Sequence, residues 1–299
     1  MKEILLLKGY KVYGILRKNI KIKNVKTFEC DMNNIKKLKK IILKINPDEI
    51  YNLAAQADAT ISIKNPEESF FTNSNIVLAI CETIKNTNIK LFQANSSEIF
   101  KGIEKSEITE DLLTFYPKNP YAIAKLSAYW MIRWYREYYN LYVCNGIIFN
   151  TESPRRNKKF VINKIISKIK HNKILKIGNL NMKKDWIHAY DVAHAAWLSL
   201  QQKQSDDYII SLNNLHSVRE VIEYTFKYIH KDIQWVDQDL NEIGKGSSNE
   251  LLVKVDSRFF RKYEEKNTYL VGNNTKLKNI GWIPLYSWEK IIEEIFEQI

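Results

Sequence analysis

The chain has 299 residues, enough for one large domain or two modest ones with full apolar cores. At 45% hydrophobic it has the composition of an ordinary water-exposed fold, and no run approaches the roughly 18 apolar residues of a membrane span, which excludes a helical membrane protein. The net charge of +12 comes from lysines scattered along the chain rather than from a basic stripe with a recognisable module, which argues against a nucleic-acid binder.

Cys30, Cys81 and Cys144 lie far apart without C-x-x-C spacing, and the five histidines lack metal-ligand spacing. No disulfide framework and no metal are expected, and the cysteines suit a reducing cytoplasm. No signal peptide is recognised, so a cytoplasmic location is expected.

In chain order, the pattern predicts a helix over 2–9, strands over 11–16 and 25–30, an amphipathic helix over 33–46 and a strand over 48–55. A long helix over 67–87 leads into a strand over 89–95. The next helix, 121–139, delivers a strand over 142–149. Helices at 160–171, 188–201, 217–230 and 287–299 and strands at 174–178 and 207–212 follow, with a loop-rich stretch reaching 274. Strands alternating with helices predict a doubly wound parallel α/β sheet with active-site groups at strand carboxyl ends, joined to a smaller C-terminal part.

Tyr121-Ala-Ile-Ala-Lys125, with Ser96-Ser97-Glu98 upstream, carries the chemistry. Tyr and Lys at i and i+4 share one helix face, about 5–6 Å apart at Cβ. An ammonium beside a phenol stabilises the phenolate, which can take a proton from a sugar hydroxyl while hydride leaves the same carbon. Ser96 can share that hydrogen bond, and Glu98 adds a second acid/base group. Trp130, Trp134 and Tyr138 recur at helical spacing on the same predicted helix. Core packing is the default reading of that stripe, and an exposed aromatic face would fit a dimer equally well.

FQANSSEIF (92–100), TFYPKNPYAIAK (114–125), FNTESPRR (149–156), GNLNMKKDWIHAYD (178–191), HSVRE (216–220) and FFRK (259–262) occur in one order. Together they resemble the GDP-mannose 4,6-dehydratase family of extended short-chain dehydrogenases/reductases, from Met1 to the C-terminus. The resemblance implies a Rossmann-type NADP-binding domain over 1–152 plus about 186–212. A nucleotide-sugar domain is implied over about 153–185 and 213–299. It implies a lyase acting on GDP-mannose, with bound NADP and no net redox change, assembled as a homo-oligomer (dimer or tetramer).

By the same resemblance Ser96, Glu98, Tyr121 and Lys125 are catalytic, with Ser96 standing where the family usually has Thr. Glu98 is what separates a dehydratase from a plain dehydrogenase or epimerase. Cofactor contacts are implied for Tyr121, Lys125 and Asp31. Ala54, Ala55 and Gln56 also belong here, because small residues at a strand end let backbone approach a dinucleotide. Arg17 follows the second strand, where a cation can accept a ribose 2′-phosphate, which favours NADP over NAD. Substrate contacts are implied for Asn150, Glu152, Arg155, Arg156, Lys164, Lys184 and Arg261; Lys184 replaces the usual Arg.

A dinucleotide fold begins with a strand, a glycine-rich turn and a helix whose N-terminus holds the pyrophosphate. MKEILLLKGY matches the second half of that helix, and no glycine-rich fingerprint lies upstream of Gly9. A start placed too late and a genuine loss both fit. Low stability and weak NADP affinity are expected of the chain as it stands. Another nucleotide-sugar dehydratase or epimerase, or a non-catalytic partner subunit, stay open as alternatives.

Overall fold

The structure, a computed structural model, describes residues 1–18, 20–103, 107–260 and 269–299. Two compact units emerge. The first comprises Met1–Ile148, Val192–Ile210 and Asn273–Ile283; the second comprises Phe149–Asp191, Ser211–Gly272 and Pro284–Ile299.

The first unit opens with α1 (Lys2–Leu7), β1 (Tyr13–Leu16), β2 (Lys26–Glu29), α2 (Ile35–Ile45) and β3 (Glu49–Asn52). Helix α2 shows why the sequence pattern was readable. The Asn34 side chain caps its start by accepting from the Lys37 N–H, Leu38, Ile41 and Ile42 form its buried face, and Asn46 ends it in the left-handed region at φ 46°. Then come α3 (Ala59–Lys64), α4 (Pro66–Phe70), a π-helical turn (Phe71–Asn75), α5 (Ile76–Ile84) and β4 (Lys90–Ser96). The long α6 (Pro120–Tyr139) and β5 (Val143–Ile148) close this run.

Strands β3, β4, β5 and Asp207–Ile210 form a four-stranded sheet in the order Asp207–Ile210, β5, β4, β3, with every neighbouring pair parallel. Among the described residues β1 pairs only with β2, in parallel, and β3 pairs only with β4, so the parallel strands fall into two sheets. Both contribute to one core, in which Ile15, Phe28 and Ile50 pack against the buried faces of α2, α5 and α6.

The helix expected over 67–87 is interrupted. At the π-helical turn the Asn73 side chain donates to the Ser69 carbonyl at 2.8 Å and reaches the backbone of Gln56. A side-chain amide competing for a carbonyl four residues back loosens the regular ladder there.

The second unit has its own core, built by Val161–Lys170, Val218–Tyr228 and Trp288–Gln298 around Leu175, Trp186, Val253 and Val255. The stretch expected to be loop-rich carries three short strands, Gln234–Val236, Ile243–Lys245 and Leu251–Val255, in antiparallel succession. The last runs parallel to Leu175–Ile177. Their brevity hid them, together with left-handed Asp237 and Asn249.

Gly146 on β5 faces Phe92 on β4, and a Cβ there would sit 2.2 Å from the Phe92 ring edge. Gly146→Ala is expected to lower stability by about 1–3 kcal/mol through overpacking. Gly14→Ala, whose methyl meets Val25 at 3.4 Å, should change it far less. Urea denaturation midpoints check both.

Candidate active site

Strand β4 runs into the site. Ser96 at its end is buried, and its Oγ accepts from the Glu98 N–H at 3.3 Å, capping the short turn Ser97–Phe100. Glu98 Oε2 lies 3.3 Å from Lys101 Nζ and accepts from Asn119 Nδ2 at 3.4 Å. Asn119 also caps α6, its Oδ1 accepting from the Ala122 N–H at 2.9 Å, with Pro120 opening the helix.

Tyr121 sits in the first turn of α6, and Lys125 follows one turn on. The Lys125 Nζ is 5.9 Å from the Tyr121 ring centroid and donates to the Ala94 carbonyl at 2.8 Å. With only 2% of its surface exposed, Lys125 has its pKa pushed down to about 8 by burial. It therefore keeps its charge at pH 7 while holding it cheaply enough to lose by pH 9. Ser96, Glu98, Tyr121 and Lys125 thus come from two adjoining elements, β4 with its following turn and α6.

Besides Tyr121 and Lys125 on α6, the residues expected to hold a cofactor each follow a parallel strand. Arg17 follows β1 and is exposed. Asp31 follows β2, with its Oδ1 accepting from the Asn33 N–H at 2.9 Å; the helix cap itself is Asn34. Ala54, Ala55 and Gln56 follow β3 and are half-buried. The Gln56 amide is turned into the scaffold, donating to the Asp58 carbonyl and accepting from Ser69 Oγ. Asn73 holds the Gln56 backbone on both sides, accepting from its N–H and donating to its carbonyl, each at 3.2 Å.

In the second unit the E-S-P-R-R run folds on itself. Glu152 is buried, with Oε1 2.9 Å from Arg156 Nη1 and Oε2 accepting from Asn163 Nδ2 at 3.4 Å. Burial pushes its pKa up to about 7, opposed by Arg156 and Asn163. Arg156 also donates to the Thr151 carbonyl and stacks over Phe160. Arg155 is exposed, and Asn150 donates to the Asp185 carbonyl. Lys164 lies over the Phe259 ring at 3.5 Å, its pKa lowered by burial and by Lys168. Lys184 pairs in a two-residue antiparallel bridge with His216. Arg261 lies outside the described residues.

Sequence reasoning did not single out Lys101, Asn73 or Asn119. The last carried a signal, an Asn directly before Pro at a helix start. Asp185 was also missed; it accepts from the backbone N–H groups of Leu212, Asn213 and Gly272 and fastens three segments of the second unit. The aromatic stripe is surface rather than core: Trp130, Trp134 and Tyr138 are 44%, 47% and 71% exposed, and Trp134 stacks on Tyr138.

Residues 1–295 match the family model described as GDP-mannose 4,6 dehydratase. The GDP-mannose 4,6 dehydratase of Homo sapiens is 35% identical over 324 residues, spanning 99% of this chain and 86% of that protein. The Drosophila melanogaster protein is 34% identical over 325 residues, and that of Vibrio cholerae 31% over 332, covering 82% and 88% of those relatives. This chain belongs to the GDP-mannose 4,6-dehydratase family.

Solved structures agree on the fold of this GDP-mannose 4,6-dehydratase family member. The UDP-glucose 4-epimerase of Thermotoga maritima, with UDP-glucose, matches with a TM-score of 0.83 at 19% identity, covering 99% of this chain and 93% of that one. The dTDP-glucose 4,6-dehydratase of Bacillus anthracis, in complex with NAD, matches with a TM-score of 0.80 at 20% identity, covering 99% and 91%. The doubly wound parallel α/β class expected from the sequence is the class observed.

The low pKa of Lys125 has a sign that can be checked. Its folded value of about 8 lies below the ordinary lysine value of about 10.4. The charge therefore costs stability at neutral pH, and that cost fades as pH rises from about 8 to above 10. Lys125→Met should abolish turnover yet raise stability at pH 7 by about 1–3 kcal/mol, the gap closing by pH 10.5. Paired assays and urea melts across pH would show it.

Proposed function

We propose that the chain converts GDP-mannose to GDP-4-dehydro-6-deoxy-mannose, with Tyr121, Lys125, Ser96 and Glu98 as its catalytic groups. The observation that carries the assignment of roles is the meeting of two acid/base centres, Glu98 after β4 and Tyr121 on α6, through Asn119 in a dehydratase-family chain.

Tyr121, as phenolate, takes the proton of the sugar's 4-hydroxyl, while the Lys125 ammonium steadies the phenolate charge. Ser96 hydrogen-bonds the same oxygen. Loss of hydride leaves a ketone at carbon 4, which acidifies the hydrogen on carbon 5. Glu98 takes that proton. The electron pair becomes the carbon 5–carbon 6 double bond as the carbon 6–oxygen bond breaks, and the hydroxyl leaves as water after gaining a proton. Once hydride has been returned to carbon 6, a proton delivered to carbon 5 completes the 4-keto-6-deoxy sugar.

A nicotinamide dinucleotide, when bound, accepts the hydride from carbon 4 and returns it to carbon 6, so no net redox change remains. Residues present fit its two ends: exposed Arg17 suits a ribose 2′-phosphate, the Asp31 carboxylate suits the adenosine, and Tyr121 and Lys125 suit the nicotinamide ribose. Ala54 and Ala55 give the backbone room for close approach. No glycine-rich turn leading from a strand into a helix is found among the described residues, and no phosphate contact is assigned in the first unit. NADP is the form favoured. In the second unit Arg155, Lys164, Lys184 and Arg261 supply positive charge for the nucleotide diphosphate, while Glu152 and Arg156 brace the run that carries Arg155, and Asn150 fastens its start.

A second copy of the chain is the partner favoured by the stripe of Trp130, Trp134 and Tyr138. Beside the start of α6, Phe70, Phe71, Pro66, Pro120 and Ile123 line an apolar depression. Cys30, Cys81 and Cys144 are buried free thiols, as a reducing cytoplasm would keep them. No described helix is long and apolar enough to cross a membrane.

With GDP-mannose and NADP, Tyr121→Phe is expected to lower turnover by about 10²–10⁴-fold; turnover equal to the parent would sink the mechanism. Arg17→Ala should raise the KM for NADP about tenfold while leaving that for NAD nearly unchanged. Trp134→Glu with Tyr138→Glu should shift the mass measured by light scattering toward a single chain.

A further inference from the structure

We infer that Asn119 is a positioning residue that sets the place of Glu98, resting on the acid/base role of Glu98 given above. Its side chain makes two contacts that demand opposite ends of the amide. Oδ1 accepts from the Ala122 N–H at 2.9 Å, and Nδ2 donates to Glu98 Oε2 at 3.4 Å. Capping α6 orients the amide, because only its oxygen can accept from the helix N–H. The NH₂ group is thereby aimed the other way, toward the carboxylate. Asn119 is buried, so neither contact is traded freely for water.

Glu98 needs such a guide. It sits on a four-residue turn, Ser97–Phe100, and its side chain has three rotatable bonds. Lys101 at 3.3 Å contributes attraction but directly follows that short turn and reaches back on a long flexible stem. Asn119 refers the carboxylate to the start of α6, two residues before Tyr121. Through it the group that abstracts the carbon 5 proton keeps a fixed spacing from the group that takes the 4-hydroxyl proton. A loss of even about 1 Å in such placement is enough to slow a step by about 100-fold.

The residue type is diagnostic. Serine at 119 would keep an N-cap oxygen but is too short to reach Glu98 as well. Aspartate would keep the cap yet present a second carboxylate oxygen where the NH₂ now stands. Alanine removes both contacts.

The test compares the parent with Asn119→Ser, Asn119→Asp and Asn119→Ala. Asn119→Ser should keep its Tm within a few degrees, keep the KM for GDP-mannose within about twofold, and lose about 10–100-fold in kcat. Oxidation at carbon 4 would then run ahead of carbon 5 deprotonation, so reduced-nicotinamide absorbance should build up during turnover. Asn119→Asp should lose more in kcat at a similar Tm, and Asn119→Ala should lose Tm as well. Parent-like kcat in Asn119→Ser overturns the inference, as does a fall in kcat matched by losses in KM and Tm. Crystal structures of the parent and Asn119→Ser provide a readout independent of turnover: Glu98 should leave its single side-chain position in the variant. An unmoved Glu98 overturns the inference, whereas a parent without dehydratase activity overturns the functional reading instead.

Discussion

The burial of one ammonium group organises the first unit. Lys125 reaches the carbonyl of Ala94 because α6 lies close against β4, with Ala122, Ala124 and Ala128 on its buried face. Larger side chains there would hold the helix away and leave a charge buried without its acceptor, which costs far more than the cavity an alanine leaves. Helix α6 therefore has one allowed distance from the sheet, and Tyr121, Asn119 and the aromatic stripe inherit their positions from it. Where the helix sits is a matter of packing; what it can do near its start is a matter of the Lys125 charge that packing tolerates.

A second fastening lies further along the same helix. Arg136 Nη2 bonds Asp207 at 2.6 Å, and Asp207 in turn accepts from Asn145 Nδ2 on β5 at 2.9 Å. Both acceptor and donors are substantially buried, and each is satisfied, so the network tolerates its own desolvation. It joins α6, β5 and the strand Asp207–Ile210 into a unit that cannot slide by one residue without stranding a charge. Helix α6 is thus held at two points about three turns apart.

Legibility from sequence followed physical range. Helices α2 and α6 were readable because their apolar spacing is a local feature, although the caps Asn34 and Asn119 were not singled out. Tyr121 and Lys125 were readable because four residues of helix place them together without help from the rest of the chain. The interruption at Asn73 was not readable, since the amide that competes for the Ser69 carbonyl is held in place by a loop seventeen residues upstream. The three short strands between Gln234 and Val255 were missed because three to five residues carry too little alternation to outvote the turns around them. Glu152 was read as a charged group for substrate; its burial against Arg156 and Asn163 depends on where the helix Val161–Lys170 docks, which no local pattern states. Arg17 and Asp31 were placed correctly after their strands, but spacing alone could not say that Asp31 spends one oxygen on an Asx turn.

The clamp on Gln56 has a bearing on how the chain leaves β3. Four residues past the end of that strand the backbone has no ladder to join, and its polar groups need partners of another kind. Asn73 answers both groups of Gln56 with one side-chain amide, imitating a peptide of an adjacent strand without being one. One buried side chain thus does for a loop what a neighbouring strand does for a sheet, so the loop's path is set by a single residue and is separable from the strand before it.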